Sequence, residues 1–147
     1  MIDLKTFKKT VGNFLFGKGF TKKGSFYYLF FEDLIIAIGF QKSNFSNGYY
    51  INIGYVIPEL NPNILIPRDV DGDVRARFSM VLNGKKVDYF NLDNLNDVNE
   101  LINAIGDNIR CYVDGITSVE KLNVLLKENP VMLYQTKLVA KQLLKLE

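Results

Sequence analysis

Apolar and polar residues follow a helical period at the start of the chain and a strand period further along. Apolar residues near the amino terminus recur every three or four positions, which is typical of an amphipathic helix. They are Leu4, Phe7, Val11, Phe14 and Leu15. Asp3 is a suitable N-cap, and Gly17 and Gly19 are suitable terminators, so the pattern predicts a first helix between these residues.

Three segments rich in aromatic and β-branched residues follow, and they predict strands over residues 26–31, 34–41 and 49–57. Only Glu32 and Asp33 separate the first two, which is hairpin spacing. This pairing makes both faces of the sheet apolar. Both faces therefore need cover from elsewhere in the chain, unless one of them is a binding surface.

The middle of the chain contains a break in this pattern and then a second hairpin. Residues 59–73 contain proline and asparagine and predict a surface loop. Alternation returns between Val74 and Met80, with Arg75 and Arg77 on the outward face. Asn83-Gly84 predicts a hairpin turn, and residues 85–90 are the expected returning strand.

The carboxy-terminal part is predicted to be helical. Leu95, Val98, Ile102, Ile105 and Ile109 share one helical face, and residues 129–130 are suited to begin a last helix. The order of elements predicts an α+β fold with an N-terminal helix, an antiparallel sheet of about five strands and C-terminal helices. Residues 1–147 show no internal boundary, so we expect one domain.

The absence of histidine changes the functional picture most. It removes histidine triads, histidine general bases and most zinc sites, so we expect neither an enzyme nor a cofactor. Cys111 is expected to be a half-buried structural residue. The net charge of +2 is too small to indicate a nucleic-acid binder. No signal peptide or membrane-length apolar run is present, so a cytoplasmic protein is expected.

Asp69, Asp71 and Asp73 resemble the start of a calcium-binding loop. Val74 and Met80 occupy the positions where such a loop needs glycine and glutamate, so the motif fails. The pattern favours a solvated acidic turn and no metal site. If a divalent cation binds, these three carboxylates are its expected ligands.

Two surfaces are candidates for binding. Residues 87–120 are rich in acids, which suits a basic partner protein but is also typical of a solvated helix face. With aromatic anchors added, the candidate partner-binding residues are Asp93, Asp97, Glu100, Tyr89 and Tyr112. The alternative is a nucleic-acid or phosphate-binding site made of Lys22, Lys23, Arg75 and Arg77.

Individual polar residues in the predicted strands have alternatives of their own. Arg75 and Arg77 have the spacing to clamp a carboxylate or phosphate, or to pair with Asp71 or Asp88 across the hairpin. Gln41, Ser43 and Asn52 lie among apolar strand residues and need hydrogen-bond partners.

Short stretches along the chain also carry a resemblance. They read GFTKKG at residues 19–24, FQKS at 40–43 and YINIG at 50–54, followed by Arg75-Ala76-Arg77. In these stretches the chain resembles a bacterial family of small α+β domains of unknown function. The resemblance implies that fold and an unassigned function. Some small bacterial proteins of this type are encoded beside toxins and are suspected immunity proteins.

We therefore expect a non-enzymatic binding protein, most concretely an immunity protein that occludes a cognate toxin. The expected partner is another protein, and nucleic acid is the alternative. Both a monomer and a homodimer are compatible with the sequence.

Overall fold

The α+β architecture is confirmed in a computed structural model that describes residues 1–146. The helices are α1 (Leu4–Gly17), α2 (Val98–Tyr112), α3 (Val119–Glu128) and α4 (Leu138–Leu144). The strands are β1 (Thr21–Lys23), β2 (Phe26–Phe30), β3 (Ile35–Lys42), β4 (Gly48–Val56), β5 (Val74–Arg77), β6 (Met80–Leu82), β7 (Lys85–Val87) and β8 (Phe90–Asn91). Short 3₁₀ helices cover Pro58–Leu60, Asp69–Asp71 and Pro130–Gln135. None of the helices in this part of the chain combines the length and apolar character needed to cross a membrane.

Helix α1 has the ends that its sequence predicts. The Asp3 carboxylate accepts a hydrogen bond from the Thr6 N–H at 2.7 Å, which caps the first turn. Phe7, Val11 and Leu15 of the predicted apolar stripe are buried, whereas Leu4 is exposed. After Gly17 the chain turns through Gly19, whose φ of 91° places it in the region that favours glycine.

The main sheet is antiparallel, with strand order β1-β2-β3-β4-β5 and β8 paired to β4. Phe30 pairs with Ile35, so residues 32–33 form the predicted hairpin connection. β1 was not predicted, because its three residues are polar and exposed and show no alternation. The GFTKKG segment thus forms an edge strand of the sheet, and Gly24 with a φ of 62° turns the chain into β2.

The two faces of the sheet are covered by different parts of the chain. The larger core lies on one face, where Ile36, Ile38 and Ile53 pack with apolar residues of the helices. The smaller cluster on the other face includes Tyr28 and Val56. The Tyr28 hydroxyl donates a hydrogen bond to the Pro67 carbonyl at 2.6 Å, so the segment before β5 covers this face.

The prediction of a surface loop holds for residues 59–66, which are all exposed or half-buried, but it is wrong for residues 67–73. Asp69 and Asp73 are buried, and a Cβ added to Gly54 would lie 2.3 Å from the Asp69 carbonyl oxygen. The Asp73 carboxylate accepts hydrogen bonds from the Ile57 N–H at 2.8 Å and the Asn61 Nδ2 at 2.7 Å. Because buried carboxylates need such donors, these bonds fix the segment on the sheet.

The single strand predicted from Val74 to Met80 is also wrong, since β5 ends at Arg77 and β6 lies in a separate two-stranded sheet with β7. The reason is the buried side chain of Asn108. Its Nδ2 donates to the Ser79 carbonyl at 2.6 Å, and its Oδ1 accepts from the Ser79 N–H at 2.9 Å. The Asn108 amide thus takes the place of a neighbouring strand at the point where the chain leaves the sheet.

The hairpin that follows β6 has the predicted turn but a shorter return. Asn83 and Gly84 have φ values of 52° and 78°, as a tight hairpin turn requires. The returning strand predicted over residues 85–90 is split, because β7 pairs with β6 whereas Phe90 in β8 pairs with Tyr49 in β4.

The carboxy-terminal helices differ from the prediction in two respects. Val98 and Ile102 are partly exposed, and the buried face of α2 instead includes Leu101 and Ala104. The single last helix is interrupted at Thr136, which pairs with Val74 in an isolated bridge between the 3₁₀ helix and α4. Tertiary pairing therefore overrides helical periodicity at this point.

Candidate functional site

A cavity of about 760 Å³ lies along β5, and we call it the β5 groove. Its walls come from β4, β5, the β6–β7 hairpin, the turn after β7, the end of α2 and the 3₁₀ helix before α4. The lining residues are Asn52, Arg75, Ala76, Arg77, Ser79, Lys86, Val87, Asp88, Tyr89, Tyr112 and Gln135. The groove therefore collects residues that are far apart in the sequence.

The guanidinium group of Arg77, which lines this groove, is held by four side chains. Its Nε donates to Asn52 Oδ1 at 2.9 Å, and its Nη2 donates to Gln41 Oε1 at 3.3 Å. The guanidinium carbon lies 4.0 Å from the centre of the Tyr50 ring, and Nη1 lies 3.7 Å from the Asp88 carboxylate. Several simultaneous contacts of this kind restrict an arginine to one orientation.

Gln41 and Asn52 thus find the hydrogen-bond partners that they need in each other and in Arg77. Asn52 Nδ2 donates to Gln41 Oε1 at 3.0 Å, which completes a network across three neighbouring strands. Ser43 is satisfied separately, since its Oγ accepts from the Phe45 N–H at 3.2 Å.

Arg75 and Lys86 bring further positive charge to the groove. Arg75 pairs with Gly54 and Arg77 with Asn52 in the strand register, so the two arginines share one face as predicted. Within residues 1–146, neither Arg75 nor Lys86 has an ion pair or a side-chain hydrogen bond. Both cations therefore lack a neutralising partner in the described part of the chain.

The predicted ion pairs of the two arginines are formed in part. Arg77 pairs with Asp88, whereas Asp71 pairs with Arg68 instead of Arg75. The Asp71 carboxylate accepts a hydrogen bond from the Arg68 backbone N–H at 2.8 Å, which holds the pKa of Asp71 below its ordinary value.

Two tyrosines from the predicted partner-binding set form aromatic walls of the groove. The Tyr89 ring lies edge-on to Tyr50, with centroids 6.4 Å apart. The Tyr112 ring stacks on Phe78 at 6.3 Å, and burial raises the pKa of the Tyr112 hydroxyl. These contacts hold both rings in place.

The three acids of that set lie elsewhere and have local structural roles. Asp97 caps α2 by accepting from the Glu100 N–H at 2.8 Å, and Glu100 accepts in return from the Asn96 N–H at 3.1 Å. Asp93 accepts from Asn47 Nδ2 at 3.1 Å. Because Tyr112 is at the other end of α2, about 18 Å along the helix from Glu100, the structure does not place the set in one patch.

The candidate anion-binding set is also divided. Lys22 and Lys23 lie on β1 at one edge of the sheet, and Arg75 and Arg77 lie on β5 at the other edge. With strands spaced about 4.8 Å apart, the two pairs are separated by roughly 19 Å. The β5 groove therefore combines the two tyrosines of the partner-binding set with the two arginines of the anion-binding set.

Comparison with known proteins identifies the family to which the chain belongs. The model of one family matches residues 11–118, which cover most of the chain. The chain belongs to DUF4304, a domain of unknown function. The resemblance to a family of unknown function is thereby confirmed. No curated protein and no solved structure matches the chain.

The region matched to DUF4304 includes all of the strands and α2, and therefore every lining residue of the groove except Gln135. It also includes residues that no sequence pattern assigns to a site. Tyr50 and Asn108 are the main examples. The one signal for Asn108 is its position beside Ile109, because a polar residue next to a buried helical stripe needs partners.

The remaining candidate chemistry of this DUF4304 chain lies outside the groove. Within the described residues, no three His, Cys, Asp or Glu side chains come together as metal ligands. Asp71 is engaged by Arg68, and Asp73 lies 3.7 Å from Lys137 Nζ. Cys111 is exposed, so the expectation of a half-buried cysteine is wrong.

Proposed function

We propose that this DUF4304 chain is a non-catalytic binding protein that binds another protein in the β5 groove. The observation that carries the proposal is the fixed Arg77 side chain between aromatic walls, with Arg75 and Lys86 free to pair with a partner. Arginine and tyrosine are the residues most enriched at the energetic centres of protein interfaces.

The rigidity of the groove supports binding over catalysis. Arg77 is tied to Asn52, Gln41 and Asp88, so it loses little further conformational freedom when a partner arrives. Among residues 1–146, Asp88 is the one carboxylate that lines the groove, and it is paired with Arg77. These groups are arranged to hold a surface and leave no evident acid–base pair.

The particular role that we propose is that of a bacterial, cytoplasmic immunity protein that occludes a toxin. Such a protein needs a rigid scaffold and a charged aromatic surface, both of which the β5 groove supplies. We propose that it acts as a monomer, because pairing two copies through this groove would bring Arg75 and Lys86 towards the same cations of the second copy.

The nucleic-acid alternative has less support from the geometry. A surface that follows a phosphate backbone needs a continuous line of cations. Here Lys22 and Lys23 are at the edge of the sheet opposite Arg75 and Arg77. The test of the proposed function must nevertheless be able to detect either kind of partner.

Site-specific photo-crosslinking in the cells that produce the protein tests the proposal. The photoreactive residue p-benzoylphenylalanine replaces Tyr112 in the groove, and in a matched control it replaces Lys22 on β1. We expect one protein to crosslink in stoichiometric amount from position 112 and not from position 22. Equal labelling from both positions, labelling of nucleic acid alone, or no adduct from position 112 would overturn the proposal.

A further inference from the structure

We propose that the β5 groove takes an extended, acidic segment of the partner, which adds to the open edge of β5 as a strand. This inference rests on the proposed function, because it names how the partner is recognised at the same site. Addition of a strand to a sheet edge supplies affinity through backbone hydrogen bonds and specificity through alternate side chains.

The register of β5 shows which of its backbone groups are open. Phe78 lies opposite Ile51 and donates its N–H to the Ile51 carbonyl at 2.9 Å. Hydrogen-bonded and non-bonded pairs alternate along an antiparallel ladder, so Ala76 is also bonded to β4 whereas Arg77 is not. The Arg77 N–H and carbonyl therefore point away from β4, and within residues 1–146 no strand pairs with Arg77 on that side.

Both ends of this open edge are closed by other parts of the chain. At one end, Asn108 binds the N–H and carbonyl of Ser79. At the other end, the Lys137 N–H donates to the Asp73 carbonyl at 2.8 Å, and Thr136 bridges Val74. Only a short extended segment centred on Arg77 fits between these closures.

The charges around this opening select the side chains of the segment. Asp88 already offsets the charge of Arg77, whereas Arg75 and Lys86 have no acidic partner within residues 1–146. A segment with carboxylates at alternate positions would place them on one face, towards these cations. A second copy of β5 is a poor occupant, since its own Arg75 would meet the same positive charge.

A displayed library of random dodecapeptides tests this inference directly and does not require the natural partner. The library is selected on the wild-type protein and counter-selected on the double variant Arg75→Glu/Lys86→Glu. We expect the enriched peptides to be rich in Asp and Glu and to bind the double variant at least about tenfold more weakly in fluorescence anisotropy. The matched control Lys22→Glu/Lys23→Glu reverses two cations at the other edge and should bind like the wild type.

Backbone pairing needs a separate test, because an acidic peptide could bind these cations without forming a strand. N-methylation of the amide in the enriched peptide that pairs with Arg77 should abolish binding, whereas methylation of the next amide should not. The Arg77 amide should become protected from hydrogen exchange when the unmodified peptide binds. Insensitivity to methylation at every position, or lack of protection at Arg77, would overturn strand addition.

The two proposals fail in different ways. If crosslinking from position 112 captures a protein but no peptide is enriched over the double variant, the partner presents a folded surface and only the further inference falls. If enriched peptides are neutral or basic, the acidic character of the segment is wrong. If crosslinking from position 112 also captures no protein, both proposals fall.

Discussion

The two edge strands of the main sheet, β1 and β5, differ in how their unpaired backbone is protected. β1 has three exposed residues, and its Lys22 and Lys23 lie over the rings of Tyr27 and Phe30. β5 is half-buried, its end is bound by Asn108, and its open backbone lies within a groove. A short, lysine-rich edge discourages pairing with other chains. The contrast shows that β1 is protected by its own lysine residues, whereas the edge of β5 is enclosed by parts of the chain that are distant in sequence.

Loss of the Asn108 side chain should cause the largest loss of stability on the β5 side of the sheet. It removes the side chain that binds the backbone just after β5. Asn108→Ala removes three hydrogen bonds of the Asn108 side chain, to the Ser79 N–H, the Ser79 carbonyl and the Ala104 carbonyl, and each contributes about 1 kcal/mol. We expect the free energy of unfolding, measured by urea denaturation, to fall by about 3 kcal/mol. Asn103→Ala, an exposed position on the same helix, should change it by less than about 0.5 kcal/mol. Equal losses in the two variants would contradict this role of Asn108.

A methyl group at Gly54 should disturb the β5 side of the sheet next most strongly. Its Cβ would lie 2.3 Å from the Asp69 carbonyl oxygen, which is backbone and cannot move aside without displacing the segment that leads into β5. We expect Gly54→Ala to lower the free energy of unfolding by about 2 kcal/mol.

Gly17→Ala is the control for this change. An added Cβ there meets nothing within 4 Å, and the residue ends α1 on the side of the chain that leads to β1. We expect a gain of about 0.5 kcal/mol in the free energy of unfolding. A stability loss at Gly17 as large as that at Gly54 would show that backbone freedom, and not the close approach of Asp69, explains both.

The buried hydroxyl of Tyr55, on the strand next to β5, should make the free energy of unfolding depend on alkaline pH. Burial raises the pKa of Tyr55 well above its ordinary value of about 10, and the hydroxyl donates to the Tyr112 carbonyl at 2.6 Å. Because the pKa is higher in the folded state, this contribution is present below pH 10 and is lost as the pH rises above it.

Tyr55→Phe should therefore cost about 1.5 kcal/mol at neutral pH and progressively less above about pH 10. The measurement is the free energy of unfolding in urea across this range. A constant difference between the two proteins at every pH would mean that Tyr55 does not titrate differently in the folded and unfolded states.

The smallest expected change in stability comes from removing one cation from each edge of the sheet. Arg77→Met removes hydrogen bonds to Asn52 and Gln41 from a partly exposed side chain, and we expect a loss of about 1 kcal/mol. Lys22→Met removes one contact with an aromatic ring, and we expect a loss of about 0.3 kcal/mol. Thermal unfolding monitored by circular dichroism should rank the two variants, and the reverse order would show that the Arg77 network adds no stability.

Elements with local causes were predictable from the sequence. The helical stripe and N-cap of α1, the two-residue connection after β2 and the Asn83-Gly84 turn each depend on neighbouring residues. The course of the chain after Arg77 was not predictable, because it depends on Asn108, which is 29 positions from Ser79 in the sequence. The pairing of β8 with the start of β4 is non-local in the same way.

The candidate site shows the same division. Arg75, Arg77, Tyr89 and Tyr112 were all singled out from the sequence, but in two different sets. Their combination required the sheet order and the position of α2, which no local pattern contains. The acids near the start of α2 had a local signal as helix caps, and that signal explains Asp97.

The β6–β7 hairpin gives one wall of the groove a thermodynamic property of its own. A two-stranded sheet is marginally stable alone, and this one shares no ladder with the main sheet. We therefore expect it to open as a cooperative unit at a lower free energy than the whole molecule, with faster amide exchange than β4. Since Lys86 and Val87 belong to it, this wall of the groove should open locally while the Arg77 side of the groove, which is built on the main sheet, stays in place.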